Sequence, residues 1–368
     1  MNDSAGFFFV RLTRRSFLGR TSQLAGLVSL ADRCLPEVAA AGSATSGGTA
    51  TCFVVGDTHY RADETDDTSL DPVSAEYNGR LVDWLNRLPG SPFPETIGGG
   101  VVPVPDGVIH AGDIVDNGDK GDSVERRKVP VEWNSFEEDW GLNGTEGRLR
   151  WPVREVHGNH DSPRGKGIVI EGIRGRNGRR KGLTERSGNG LHYSWDWAGI
   201  HFVALGIVAG DAPEVTRPRR YAPLGSLPFL REDLAKHVGD SGRPVVLVHH
   251  VDAARYSAPV DDEKARHQEW DHGDVRAYYE TLARYRVAAA ICGHTHVRNL
   301  FRWNGTPDTR GPAGIPFLNT DNAAHFHGPA QAFLHLEISP GEVRVREFAT
   351  RDGWITGAWT PQVWRFPI

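Results

Sequence analysis

The chain alternates short apolar runs with polar, glycine-rich connections, and the period of each run predicts its element. TCFVVGD, residues 51–57, is a continuous apolar run closed by Gly-Asp, as expected of a buried strand. A polar acidic loop follows, and then SAEYNGRLVDWLNRL carries apolar residues at helical spacing. DGVIHAGD and PVREVHGNHD repeat the strand pattern, each ending in a polar cluster, with WNSFEEDWGL between them predicting a short helix. Further on, LHYSWDWAGIHFVALGI alternates like a hairpin with Trp197, Ala198 and Gly199 near its turn. LPFLREDLAKHV and DVRAYYETLARYR have helical spacing, whereas RPVVLVHHV and VAAAICGHTH are apolar strands that end in histidines. The C-terminal third is a succession of short strands, HVRNLFRWNG, AFLHLEIS and EVRVREFATRDGWITGAW, and the chain has no internal repeat.

Strands that first alternate with helices and then follow one another predict a layered α/β sandwich with two sheets, not one doubly wound sheet. In open α/β folds, ligands gather beyond the carboxyl ends of the strands. Those ends carry Asp57 and His59, then Asp113, then Asn159 and His160, then His249 and His250, then His294 and His296. Carboxylate, imidazole and amide oxygen are ligands for Zn²⁺, Mn²⁺ or Fe and need no thiolate. In GHTH, alternate residues of an extended segment point the same way, so His294 and His296 can face one site. A lone Asp after a strand is a turn former, and a lone His a hydrogen-bonded structural residue. Five such clusters, each after an apolar strand, are hard to ascribe to chance.

As an ordered set, GDTH (Asp57 and His59), GDIVDNG (residues 112–118), GNHD (residues 158–161), VLVHH (residues 246–250) and GHTH (residues 293–296) resemble the motifs of the calcineurin-like metallophosphoesterases, over roughly residues 51–300. The resemblance implies a four-layer α/β/β/α sandwich of two mixed β-sheets flanked by helices, holding two divalent or trivalent metal ions (Mn, Fe or Zn). By position, Asp57, His59 and His296 would bind one metal, Asn159, His249 and His294 the other, and Asp113 both. His249 is preferred to His250 because it meets the strand end first. The implied chemistry is attack of a metal-bound hydroxide on a phosphate ester, a small-molecule substrate. His160 would stabilise the transition state or protonate the leaving oxygen. Asp161 would either hold that imidazole in the right tautomer or cap a helix, and Asp116 would support a ligand or form a turn. Three functions stay open: a phosphodiesterase, slightly preferred, a phosphomonoesterase on the same site, and a metal-binding protein without catalysis.

Composition adds limits. The 368 residues carry a net charge of −5, which does not suggest a nucleic-acid binder, and no run is long and apolar enough to span a bilayer. The odd, low cysteine count (Cys34, Cys52, Cys292) argues against a disulfide framework. At the N-terminus, LTRRSFLGR, then LAGLVSLA, then the small residues of EVAAAGSA have the order of an export signal ending near Ala41, and TRRSFL resembles the bacterial twin-arginine signal. The expectation is therefore a signal over 1–41, a linker over 42–50, a single phosphoesterase domain over 51–368, use of the twin-arginine export machinery, and a periplasmic or extracellular destination. Two segments are left over. Residues 162–190 are rich in Arg and Lys, read either as a solvated mobile loop or as an anion-collecting rim over the metals. NTDNAAHFH, with Asn319, Asp321, Asn322, His325 and His327, matches no motif and reads as structural turns behind GHTH.

Overall fold

The computed structural model describes residues 48–255, 269–306, 311–326 and 328–368. The export-signal segment, residues 42–47 of the linker, Cys34 and His327 lie outside the described residues. The first three apolar runs are β1 (Ala50–Val55), β2 (Gly107–His110) and β3 (Val153–Glu155), paired in parallel. Three C-terminal strands, β11 (Gln331–Ile338), β12 (Glu342–Thr350) and β13 (Ala358–Pro367), extend this sheet, β11 antiparallel to β1 and each next strand antiparallel to the one before, in the order β13-β12-β11-β1-β2-β3. The second sheet runs β4 (Leu183–Arg186), β5 (Tyr193–Trp197), β6 (Ile200–Ala204), β7 (Val245–Val248), β8 (Val287–Cys292), β10 (Ile315–Asn319), β9 (Asn299–Trp303). Within it β6, β7, β8 and β10 are mutually parallel. Both sheets are mixed, as the resemblance implies. The β5–β6 turn falls at Ala198 and Gly199, both at positive φ (50° and 82°), the geometry a two-residue hairpin loop demands.

Strand alternation sorts the buried side chains into three layers of core. Phe53 and Val55 of β1 face α1 (Pro72–Arg87), α2 (Asp122–Trp140) and α3 (Ile168–Arg179), while Cys52 and Val54 face the other sheet. In the second sheet Val246, Val248 and Ile291 point inward to meet them, while Val245, Leu247 and Ala290 point outward onto α4 (Ser226–His237) and α5 (His272–Leu282). Helices, sheet, sheet and helices thus form four layers. Cys52 and Cys292 are buried thiols. Among the described residues no helix is long and apolar enough to cross a membrane.

Two elements differ from the sequence expectation. The WNSFEEDW part of this stretch is only the end of α2, which starts eleven residues earlier and runs through Pro130. An internal proline costs a helix roughly 3 kcal/mol. Burial of Val129, Trp133, Phe136 and Trp140, a stripe at helical spacing, outweighs that at about 1.5–3 kcal/mol each. The middle of the basic segment is neither a solvated loop nor a rim, although Arg164, Lys166, Arg179, Lys181 and Arg186 are exposed. It forms α3 and β4, and Arg176 and Arg180 turn inward onto Glu155 at the end of β3. Arg176 Nε lies 2.7 Å from Glu155 Oε1, and all three side chains are buried. The two guanidiniums, opposing the effect of burial, hold the Glu155 carboxyl down at about 2.

Candidate metal centre

Parallel pairing carries the polar strand ends to one edge of each sheet. The loops after β1, β2 and β3 meet the loops after β7 and β8 across the sandwich. Hydrogen bonds between the loops fix the meeting: Asp57 N donates to Gly112 O (2.9 Å), Gly293 N to His250 O (3.0 Å), and His294 N to both Asp57 carboxylate oxygens (3.0 and 3.1 Å). Two motif glycines are required by close approach. A Cβ on Gly158 would sit 2.2 Å from Asp113 Oδ1, and one on Gly293 2.7 Å from Asp57 Oδ2. Asp57, His59, Asp113, His294 and His296 all have φ between 42° and 74°. They make up five of the nine described non-glycine residues at positive φ, so backbone strain is concentrated at this one place, as at functional sites generally.

The predicted ligands fall into two groups that share one carboxylate. Asp57, His59, Asp113 and His296 form the first; His296 Nε2 lies 3.2 Å from His59 Nε2 and 3.4 Å from Asp57 Oδ1. Asp113, His250 and His294 form the second. His250 Nε2 is 3.1 Å from Asp113 Oδ2 and 3.2 Å from Asn159 Oδ1. Burial opposes ionisation of Asp113, but the His250, His59 and His160 imidazoles hold its carboxyl well below the usual range. Burial likewise opposes charge on His250, and Asp113 overrides it, raising the imidazole to about 9.

His250 therefore takes the place expected of His249. The parity of β7 decides this. Positions 245 and 247 face α5, so His249 does too; positions 246 and 248 face the other sheet, so His250 does too. His249 is fully buried, with Nδ1 2.8 Å from Val251 O and Nε2 3.0 Å from Tyr278 Oη. A carbonyl only accepts, so Nδ1 carries the proton and Nε2 accepts from the tyrosine, leaving no lone pair for a metal. Burial lowers this imidazole to about 4 and keeps it neutral. In His250, Nδ1 donates to Ala111 O (2.8 Å), so Nε2 is the nitrogen that faces Asp113 and Asn159; it meets them through its proton in the charged imidazole and would offer its lone pair there to a metal ion that replaces the proton.

That convergence is the test of fit. An imidazole nitrogen, a carboxylate oxygen and an amide oxygen meet at one point, where the positive charge that binds them is a proton on Nε2 or a metal ion in its place. The donor set is nitrogen and oxygen without sulfur, which suits Zn, Mn or Fe. Further residues fix the imidazoles from behind, as metal-ligating histidines require. Asp116 Oδ1 lies 3.3 Å from His59 Nδ1, which gives Asp116 the supporting role. Glu269 Oε1 lies 2.7 Å from His294 Nε2 and is itself held by Arg255. Glu269 belongs to no motif, and nothing in its neighbourhood in the sequence points to it.

His160 lies beside the shared carboxylate. Its backbone N–H donates to Asp113 Oδ1 (2.8 Å), and its ring is 28% exposed. Nδ1 faces Asp116 O (3.3 Å) and Asp119 Oδ1 (3.7 Å), which leaves Nε2 as the nitrogen able to meet a ligand. Asp161 does not hold this ring, and it is not a helix cap. Its Oδ1 accepts from the backbone N–H groups of Ile114 and Val115 (both 2.9 Å) and its Oδ2 from Gly158 (2.7 Å). It clamps the loop carrying Asp113 to the loop carrying Asn159. Burial and the neighbouring Asp113 push its carboxyl up to about 7. The leftover segment after β10 also reaches the site: the His325 ring centroid lies 4.5 Å from those of His59 and His296.

Several solved structures are similar to this chain. A dimetal phosphatase from Danio rerio is 13% identical, with a TM-score of 0.46, over 84% of this chain and 98% of that one. The purple acid phosphatase PPD1 from yellow lupin (Lupinus luteus) seeds is 13% identical, with a TM-score of 0.49, over 88% of this chain and 54% of that one. PhoD is 8% identical, with a TM-score of 0.45, over 87% and 73%. No curated protein matches the chain at a significant level. The family model described as calcineurin-like phosphoesterase matches residues 51–298, a span that begins in β1 and ends just past GHTH, and the chain belongs to that family.

Proposed function

We propose that this protein is an exported phosphoesterase that works with two metal ions and hydrolyses phosphate esters, diesters ahead of monoesters. The observation that carries the reading is the pair of ligand groups joined through Asp113. Asp57, His59 and His296 would hold one ion, Asn159, His250 and His294 the other, with Asp113 bridging. When bound, such a pair supplies an ionised water near neutral pH and neutralises phosphoryl oxygens. The chain's own residues do the rest. The Asp113 carboxylate offsets repulsion between the cations. His160, steadied by the Asp116 carbonyl and the Asp119 carboxylate, presents Nε2 to a phosphoryl or leaving oxygen and can give it a proton. Neutral Asn159 and four neutral imidazoles would leave the centre net positive, as an anionic substrate needs.

The preference for diesters is supported by charge. Asp57 and Asp113 cancel half the charge of two dications, and Asp116, Asp119 and Glu269 ring the centre with further carboxylates. Such surroundings favour a singly charged diester over a doubly charged monoester. Hydrolysis of bis-p-nitrophenyl phosphate should exceed that of p-nitrophenyl phosphate in Mn²⁺ or Zn²⁺. A reversed ratio would make the protein a phosphomonoesterase, and no turnover of either by fully metallated protein would leave a non-catalytic metal binder. The export half rests on the TRRSFL signal alone. Sequencing the N-terminus of protein secreted through the twin-arginine pathway should show cleavage near Ala41.

A further inference from the structure

We infer that His325 is an additional nitrogen ligand of the ion held by Asp57, His59 and His296. The inference rests on the two-metal reading above and deepens it. His325 lies outside every motif of the sequence, 29 positions beyond His296, and the fold brings it back. β10 pairs in parallel with β8, with Asn319 opposite Cys292, so the segment after β10 leaves the sheet at the edge from which GHTH leaves. Three hydrogen bonds hold that segment in place. Thr320 N donates to Cys292 O (2.9 Å), Ala323 N to Gly56 O (2.9 Å), one residue before Asp57, and Trp354 Nε1 to Ala323 O (2.6 Å). Ala323 and Ala324 are fully buried, so the histidine that follows starts from a fixed point.

The imidazole then lies against both ligand imidazoles of one group. Its centroid is 4.5 Å from that of His59 and 4.5 Å from that of His296, and one nitrogen of each ring lies within 4.8 Å of the others. Ligands on opposite sides of an ion at roughly 2.1 Å per bond are about 4.2 Å apart, so a small rotation of this half-buried ring completes the contact. Stacking on Phe326 (centroids 4.6 Å apart, 23° between planes), a ring that Arg61 also covers, restrains the imidazole to this side. His325 groups with His59 and His296, which themselves group with Asp57 and Asp113, so it would join that ion from the side of the two imidazoles. The centre is thereby asymmetric. Five side chains surround one ion, and four, those of Asp113, Asn159, His250 and His294, surround the other. The less enclosed ion is the one with room for a substrate oxygen.

The test uses the full chain, stripped of metal and titrated with Co²⁺ against a chelating indicator, with the visible absorption recorded alongside. Wild type, His325→Ala and His296→Ala are compared, each first melted without metal to establish that it is folded. His325→Ala should weaken one class of site at least ~10-fold, the scale expected for loss of a group that orients or binds the metal. It should also raise the absorptivity of that class, because Co²⁺ absorbs more strongly at lower coordination number. The class affected must be the one that His296→Ala weakens. Unchanged affinities and spectrum in His325→Ala, with His296→Ala weakened, would overturn the inference and leave the two-metal reading standing. So would loss from the other class. No weakening in His296→Ala would sink the two-metal reading itself.

Discussion

His249 and His250 are adjacent, identical and both buried, yet the structure gives them unrelated work, so their substitutions should separate cleanly. His249→Phe keeps a ring among Trp270, Tyr278 and Phe317, whose centroids lie 5.5, 5.5 and 5.9 Å away. Its hydrogen bonds to Val251 and Tyr278 are lost unequally. Val251 O still accepts from Trp270 Nε1 at 3.1 Å, whereas the buried Tyr278 hydroxyl loses its acceptor. One such orphaned group costs about 1–3 kcal/mol. With an unfolding entropy of about 2.1 cal/mol/K per residue, that is a fall in Tm of roughly 1–4 °C for a chain of 368 residues. Metal content and turnover should be unchanged. His250→Ala instead removes the nitrogen that faces Asp113 and Asn159. One ion should be lost or weakened by at least ~10–100-fold, with turnover falling alongside. Calorimetry and elemental analysis on the same two preparations decide the matter. Loss of metal from His249→Phe with full occupancy in His250→Ala would refute the strand-parity argument and restore the sequence-based assignment.

Three further predictions follow from particular contacts. His160→Ala should keep both ions and lose most of the turnover, and wild-type-like kcat at full metal occupancy would remove the role given to Nε2. Asp161→Asn turns an amide N–H toward the Gly158 N–H, so it should cost about 1–3 kcal/mol in stability and weaken metal binding, without moving the pH–rate profile at saturating metal; a shifted profile with unchanged stability would return Asp161 to the role of His160's partner. Glu155→Gln uncovers two buried guanidiniums and should destabilise by ~3–5 kcal/mol. The folded Glu155 carboxyl sits near 2 against an ordinary 4.5, so its contribution is present above pH 4.5 and lost as the pH falls toward 2. That difference amounts to about 3 kcal/mol, and acid unfolding in chelator, followed by circular dichroism, should show this stretch of the curve in wild type and not in the variant.

Much of the site was legible because its ligands are local features: a short apolar run, a tight turn, a polar side chain at the strand end. Asp57, His59, Asp113, Asn159, His294 and His296 were read in this way, and the structure brings them together. The layered architecture was legible for a similar reason, since alternation of strands and helices is written in the period of the apolar residues. What failed shares a physical cause. RPVVLVHH is apolar on both faces because β7 is covered on both, so no polar face marks which histidine looks inward; only the neighbouring sheet and α5 supply that. Asp161 reads the same as a tautomer-fixing carboxylate or a helix cap until the backbone amides of a different loop arrive beside it. Arg176 and Arg180 look solvated until Glu155, on another element, is placed under them. Glu269 and His325 have no motif, and parallel pairing and loop packing bring them to the centre from far along the chain. The sequence by itself determined the donor atoms, the strand ends that carry them and the family to which they belong. Tertiary structure decided which face each donor looks toward and what stands behind it, because orientation and electrostatics depend on groups that are neighbours only once the sheets have stacked.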